Sequence, residues 1–160
     1  MSVSVEADSV TEAVILMSRM FDAPRDLVWD MMTDPKHVSQ WWGGHGFTNP
    51  VCEMDVRPGG KWHHVMRTPD GQEFTFNFVF VEVVRPERLV WQDEKHGKGA
   101  AGGPPTCVNI VTFEDHGQQT KWKLVARFNS IAERDMAAKM GFSEMISVST
   151  DRLAAYLQKS

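Results

Sequence analysis

Between residues 51 and 128 the apolar side chains recur at every second position, and from Ile131 onward they recur every three or four. The first period is that of a strand half-buried on one face, and the second is that of an amphipathic helix. In "KWHHVMRT" (61–68), Trp62, His64 and Met66 share one face, and Lys61, His63, Val65 and Arg67 share the other. "EFTFNFVFVEVV" (73–84) places Phe74, Phe76, Phe78 and Phe80 together. "QTKWKLVARF" (119–128) turns Trp122, Leu124, Ala126 and Phe128 inward. "VCEMDV" (51–56), "LVWQD" (89–93) and "TCVNIVTFED" (106–115) complete six strands, punctuated by "PDG" (69–71), "RPER" (85–88) and His116-Gly117. Strands joined by such short turns pair antiparallel.

Upstream, "TEAVILMSRMF" (11–21) reads as a seventh strand. "DAPRDLVWDMMTDP" follows it, with Pro24 suited to a first helical turn and a Leu27, Val28, Met31, Met32 stripe. Asp34-Pro35 ends that helix, and Asp34 is placed to cap a second short one that runs to about Trp41 and stops at Gly43-Gly44. A seven-stranded meander has one apolar face to cover. Only the segment from Ile131 to the C-terminus is long enough to cover it, as one helix interrupted in pattern at Gly141. The expectation is a single α+β domain over residues 1–160, with residues 1–10 as a loose tail.

Composition narrows function mainly by exclusion. A net charge of −4 carries no basic footprint for nucleic acid. The apolar runs 13–17 and 78–84 are too short to span a bilayer. The N-terminus has no cationic stretch ahead of an apolar core and there are only two cysteines, so the cytoplasm is the default compartment. Six His and two Cys show no zinc spacing, so no metal site is expected. "GGHGF" and "GAAGG" match no phosphate-binding pattern, so no cofactor is expected. "EKHGKGAAGGPP" (94–105) reads as a long mobile loop. Six Trp, nine Phe and ten Met against one Tyr imply a bulky, soft interior.

Among polar residues, His64 lies on the face of Trp62 and Met66, and Asn109 lies on that of Val111 and Phe113. Both are candidates for acid–base or polarising roles, and equally for satisfied core polar groups. His45, in the glycine loop, is a candidate ligand contact or simply a solvated side chain.

The pieces "FDAPRDLVWDMMTDP" (21–35), "QWWGG" (40–44), "EMDVRPGGKWHHVMRTPDGQEF" (53–74), "EVVRPERLVWQD" (82–93), "VTFED" (111–115) and "DRLAAYL" (151–157) resemble the START-like helix-grip (SRPBCC) superfamily. Within it they resemble the bacterial branch homologous to the activator of the ninety-kilodalton heat-shock protein's ATPase. The chain departs from that pattern at Gly44, where proline is usual, at Phe78, near which glycine is common, and at Phe142, where tryptophan is common. The resemblance implies a seven-stranded antiparallel sheet wrapped around the C-terminal helix, often with an apolar cavity between them. The residues expected around that interior are Met32, Trp41, Met54, Trp62, His64, Met66, Phe76, Phe78, Trp91, Trp122, Phe142, Met145 and Ser149. Whether the Phe74/Phe76/Phe78/Phe80 face fills the space decides whether a cavity exists.

Three functions fit. The first is binding of a hydrophobic small molecule or lipid, in a stress-related context, by a monomer or homodimer. The second is a co-chaperone-like module acting on a heat-shock ATPase. The third is a cyclase- or hydratase-type enzyme using His64 or Asn109.

Overall fold

Alternation in the sequence becomes pairing across one continuous antiparallel sheet. The structure, a computed structural model, describes residues 4–6, 12–96 and 105–159. The strands are β1 (Ser4–Glu6), β2 (Val14–Phe21), β3 (Thr48–Met54), β4 (Lys61–Arg67), β5 (Glu73–Val84), β6 (Arg88–Asp93), β7 (Cys107–His116) and β8 (Gln119–Phe128). Their order in the sheet is β1-β2-β8-β7-β6-β5-β4-β3. The seven expected strands are present, and the first pairs with the last, Val14 opposite Arg127. Within the stretch read as a tail, β1 adds an edge strand, Val5 opposite Met17. Residues 97–104, most of the expected mobile loop, lie outside the described residues.

The inward faces follow parity. Trp62, His64 and Met66 are buried on β4, as are Trp122, Leu124, Ala126 and Phe128 on β8. Lys121, Lys123 and Arg127 are exposed. On β5 the phenylalanines grade from exposed Phe74 to buried Phe80, and the register slips between Phe80 and Glu82 as the strand bends.

Two short helices bridge β2 and β3: α1 (Arg25–Thr33) and α2 (Pro35–Trp41). Asp34 does both jobs read from the sequence. It ends α1, and its carboxylate accepts from the Lys36 backbone N–H at 2.9 Å, capping α2. The C-terminal segment differs from expectation. It is two helices, α3 (Ile131–Lys139) and α4 (Phe142–Gln158), separated at Gly141, which has φ +92°. A left-handed residue ends one helix and redirects the chain into the next. Only α4 presents a long buried stripe, which includes Ser149, Leu153 and Leu157, and α3 buries Ala137 alone.

The turn "RPGGKW" explains itself through Gly60. The Phe80 N–H donates to the Gly60 carbonyl at 2.9 Å, and the Gly59 N–H donates to the Phe80 carbonyl at 2.8 Å. A Cβ at Gly60 would lie 1.9 Å from the Asp55 carbonyl oxygen. That clash is with backbone and cannot be relieved by a rotamer. Gly60→Ala should therefore destabilise the fold by at least about 3 kcal/mol, read as a large drop in the urea midpoint with the far-UV spectrum of any folded fraction unchanged.

Candidate functional site

The sheet is concave toward the helices, and one helix does not fill it. A cavity of about 430 Å³ lies between α4 and strands β4 to β8. Met32, Trp41 and Trp42 close its inner end. Lining residues that remain partly exposed, among them Phe74, Pro105, Thr106, Phe142 and Met145, mark its mouth.

Of the residues expected around the interior, Met32, Trp41, Met66, Phe76, Phe78, Trp91, Trp122, Phe142, Met145 and Ser149 line this cavity. Met54, Trp62 and His64 do not. Met54, on β3, packs against the core from beside it. Trp62 lies beneath a lid of other rings: it stacks on Phe80 (5.7 Å, 8°) and meets Phe78 at 4.9 Å and Trp42 at 5.0 Å. The phenylalanine face fills part of the concavity and leaves the rest open. Phe76 and Phe78 stack on each other along the wall (5.5 Å, 9°) instead of reaching across to α4.

His64 points inward, as its parity requires, yet it is fully committed to protein. Its Nδ1 accepts from Trp62 Nε1 at 3.2 Å, and its Nε2 lies 2.7 Å from Asn49 Oδ1. The indole N–H can only donate, so Nδ1 is bare and the proton sits on Nε2, donated to Asn49. Asn49 in turn donates to the carbonyls of Ser39 and Trp42. This chain fastens β4 to the end of α2 and leaves His64 no lone pair or proton for a ligand. His45 is exposed and lines no part of the cavity.

The backbone around the double tryptophan is held from α4. Ser149 Oγ accepts from the Gly43 N–H at 2.9 Å and donates to the Gly43 carbonyl at 3.0 Å. One turn on, Arg152 donates to the carbonyls of Gln40, Trp42, Gly44 and Phe47 at 2.9 to 3.3 Å. Partial burial lowers the Arg152 pKa from its ordinary value. Trp41 is buried and donates to the Met31 carbonyl at 3.0 Å, while Trp42 leans on Trp62 and His64.

Sequence reasoning missed several lining residues, including Trp42, Asp93, Thr106, Cys107 and Thr150. Asp93 shares the parity of Trp91 on the strand read at 89–93, and Cys107 that of Asn109 on the strand read at 106–115, so the signal was present for both; Thr106 has the opposite parity and gave none. Most polar groups in the wall are already engaged. Thr150 donates to the Ile146 carbonyl, and Thr106 bonds His96. Burial, with the Asp93 charge adding and the Asn109 hydrogen bond opposing, pushes the Cys107 thiol up to about 12. It stays protonated and donates to Asn109 Oδ1 at 3.5 Å. Cys52, raised to about 11 mainly by burial, is likewise no nucleophile at neutral pH. Asn109 is buried and lines the cavity, and its amide nitrogen has no protein partner among the described residues. No three His, Cys, Asp or Glu side chains gather for a metal among the described residues, and no described helix is long and apolar enough to cross a membrane.

An antiparallel sheet gripping a C-terminal helix over an apolar cavity defines a helix-grip α+β protein. The chain belongs to the Activator of Hsp90 ATPase homolog 1-like family, whose model matches residues 22–158. A protein from Arthrobacter aurescens has the same fold with TM-score 0.88 at 24% identity, the match covering 100% of this chain and 94% of the other. A protein from Nitrosomonas europaea gives 0.83 at 24% identity, over 95% and 97%. The AHSA1 protein from Silicibacter pomeroyi gives 0.66 at 21%, over 91% and 97%. No curated protein matches.

Two predictions follow from these contacts. Ser149→Ala removes both hydrogen bonds and leaves the buried Gly43 N–H without its partner, so unfolding free energy should fall by about 1–3 kcal/mol, with faster amide exchange across residues 43–47. Burial, with the nearby His63 adding, lowers the His64 pKa from 6.5 to about 4. The unfolded chain therefore binds the proton at higher pH than the folded one. The contribution of neutral His64 is complete above pH 6.5 and is lost as pH falls toward 4, about 3 kcal/mol across the window. Urea midpoints measured between pH 7 and 4 should fall less steeply for His64→Gln than for the wild type.

Proposed function

We propose that this protein binds a small, mostly apolar molecule in the cavity between α4 and the sheet. One observation carries the reading: a cavity of about 430 Å³ with an open mouth, walled largely by Met and aromatic side chains, in which Asn109 presents an unengaged amide. That size and that ratio of apolar wall to polar anchor are those of small-ligand sites. The ligand would enter past Phe74 and Met145, bury its apolar body against Trp91 and Trp122, and bond Asn109 with a hydroxyl or carbonyl. Turnover by a cyclase or hydratase route has less support, because His64 is occupied and Asn109 does not titrate in the neutral range. A heat-shock ATPase partner, which the family's description suggests, would need a contiguous apolar face. Among the described residues, the large exposed apolar side chains are divided between β5 (Phe74, Val81, Val84) and α3 with its C-cap (Ile131, Met136, Met140).

Neutral apolar molecules of increasing size, such as long-chain alcohols and fused-ring aromatics, should shift tryptophan emission and raise the thermal midpoint. Saturation at a hundred times Kd should add about 2.7 kcal/mol. Met145→Trp, which fills the mouth, should weaken binding at least about tenfold, roughly 1.4 kcal/mol, while the protein stays folded. A panel that moves neither signal in the wild type sinks the reading.

A further inference from the structure

Asp93 is the only formally charged side chain among the described residues that line the cavity. Strand geometry explains why a carboxylate is there. Trp91 and Asp93 share the inward face of β6, with Trp91 opposite Phe80 and Asn109, and Asp93 opposite Phe78. Asp93 thus stands one rung closer to the mouth than Asn109, on the same face. It is half-buried, and one oxygen, Oδ1, accepts from the Lys95 backbone N–H at 2.8 Å. The neighbouring acid, Glu94, is paired with Lys61 at 3.0 Å. Asp93 has no ion-pair partner among the described residues, and its second oxygen carries no hydrogen bond from them.

The carboxylate also borders a second, polar pocket of about 310 Å³ lined by Thr75, Asn77, Asp93, Glu94 and Lys95. Asp93 and Thr75 line both spaces. An apolar chamber therefore lies beside a polar, solvent-open one, and a carboxylate with no ion-pair partner among the described residues stands at their junction. A ligand carboxylate or phosphate entering from the apolar cavity would face Asp93 at short range with no cation among that cavity's described lining residues to offset it, while an ammonium would gain a charge-assisted hydrogen bond.

We propose that the cavity selects a cationic amphiphile, an apolar body carrying a protonated amine, with the ammonium held by Asp93 at the junction of the two pockets. This rests on the binding reading above and adds the sign of the ligand's charge. Lys95 borders the polar pocket without pairing with Asp93, so the amine would enter from the apolar side, along Phe76 and Phe78.

The test uses three probes with one tail: decylamine, 1-decanol and decanoate, titrated into the full chain at pH 7 and followed by tryptophan emission and calorimetry. The expected order is amine, then alcohol, then carboxylate, with the amine about tenfold tighter than the alcohol, as one charge-assisted hydrogen bond supplies. Asp93→Asn keeps an oxygen for the Lys95 N–H and should bring amine and alcohol together without changing the thermal midpoint of the free protein. Asp26→Asn removes one charge from the exposed start of α1 and should leave the preference intact. Equal binding of all three probes by the wild type overturns charge selection and leaves the binding reading standing. A preference that survives Asp93→Asn, or disappears equally in Asp26→Asn, overturns the assignment to Asp93. Failure of every probe to bind removes both readings.

Discussion

One guanidinium holds the loop on which the interior depends. Arg152 donates to four backbone carbonyls between Gln40 and Phe47, and Ser149 closes on both polar groups of Gly43. The need is physical. The last carbonyls of a helix have no partner within it and carry partial negative charge, and a seven-residue helix such as α2 has little stability of its own. A cation delivered from a long, well-packed helix answers both problems. The consequences spread outward. With the loop fixed, Trp42 is pressed onto Trp62 and His64, Asn49 reaches the carbonyls of Ser39 and Trp42, and the inner end of the cavity acquires a wall.

The cavity itself follows from stiffness and shape. Its rings pack against their neighbours along the sheet, Phe76 on Phe78 and Phe80 on Trp62, so their bulk is spent parallel to the wall. Across from them α4 brings Met145, Ile146, Ser149 and Thr150, which are shorter or already tied to backbone. A bent sheet covered by a single helix leaves space that neither set of side chains can reach. The chain fills the far side with α1, whose Trp29 meets Phe113 edge-on at 5.3 Å, and leaves the side near Phe142 open.

The strands and their inward faces were legible because alternation is a local signal. Trp62, His64 and Met66 are buried as a set, and so is the β8 face. What one residue does on that face was not legible, because it depends on partners far away in sequence. His64 reads as a cavity polar group until Asn49 and Trp62 are seen to occupy both ring nitrogens. Trp62 reads as lining until Phe78, Phe80 and Trp42 are seen to cover it. The division into α3 and α4 was hidden for a different reason. The apolar spacing is interrupted at Gly141 but resumes at Phe142, and the φ of +92° that breaks the helix is a backbone property. Arg152 stands in the "DRLAAYL" piece, but its clasp was not legible there, since an arginine three residues after a serine is ordinary on any helix.

Polar groups in the concavity fall into two kinds, and the element that carries them separates them. Those on α4, and on β4 beside α2, are structural: His64, Ser149 and Thr150 each satisfy backbone or another side chain whose burial would otherwise be costly. Those on the β6–β7 pair are not fully used. Asn109 spends its oxygen on a thiol, a weak donor, and Asp93 spends one oxygen on a turn. Stability alone does not call for an amide and a carboxylate at those two rungs, because apolar side chains would pack beside Trp91 and Phe78 without any desolvation cost. The part of the molecule that holds the fold together, α4 with the β4 face that meets α2, and the part free to recognise something else, the β6–β7 pair, are therefore different elements. The rings of Trp91 and Trp62, 5.5 Å apart, join them.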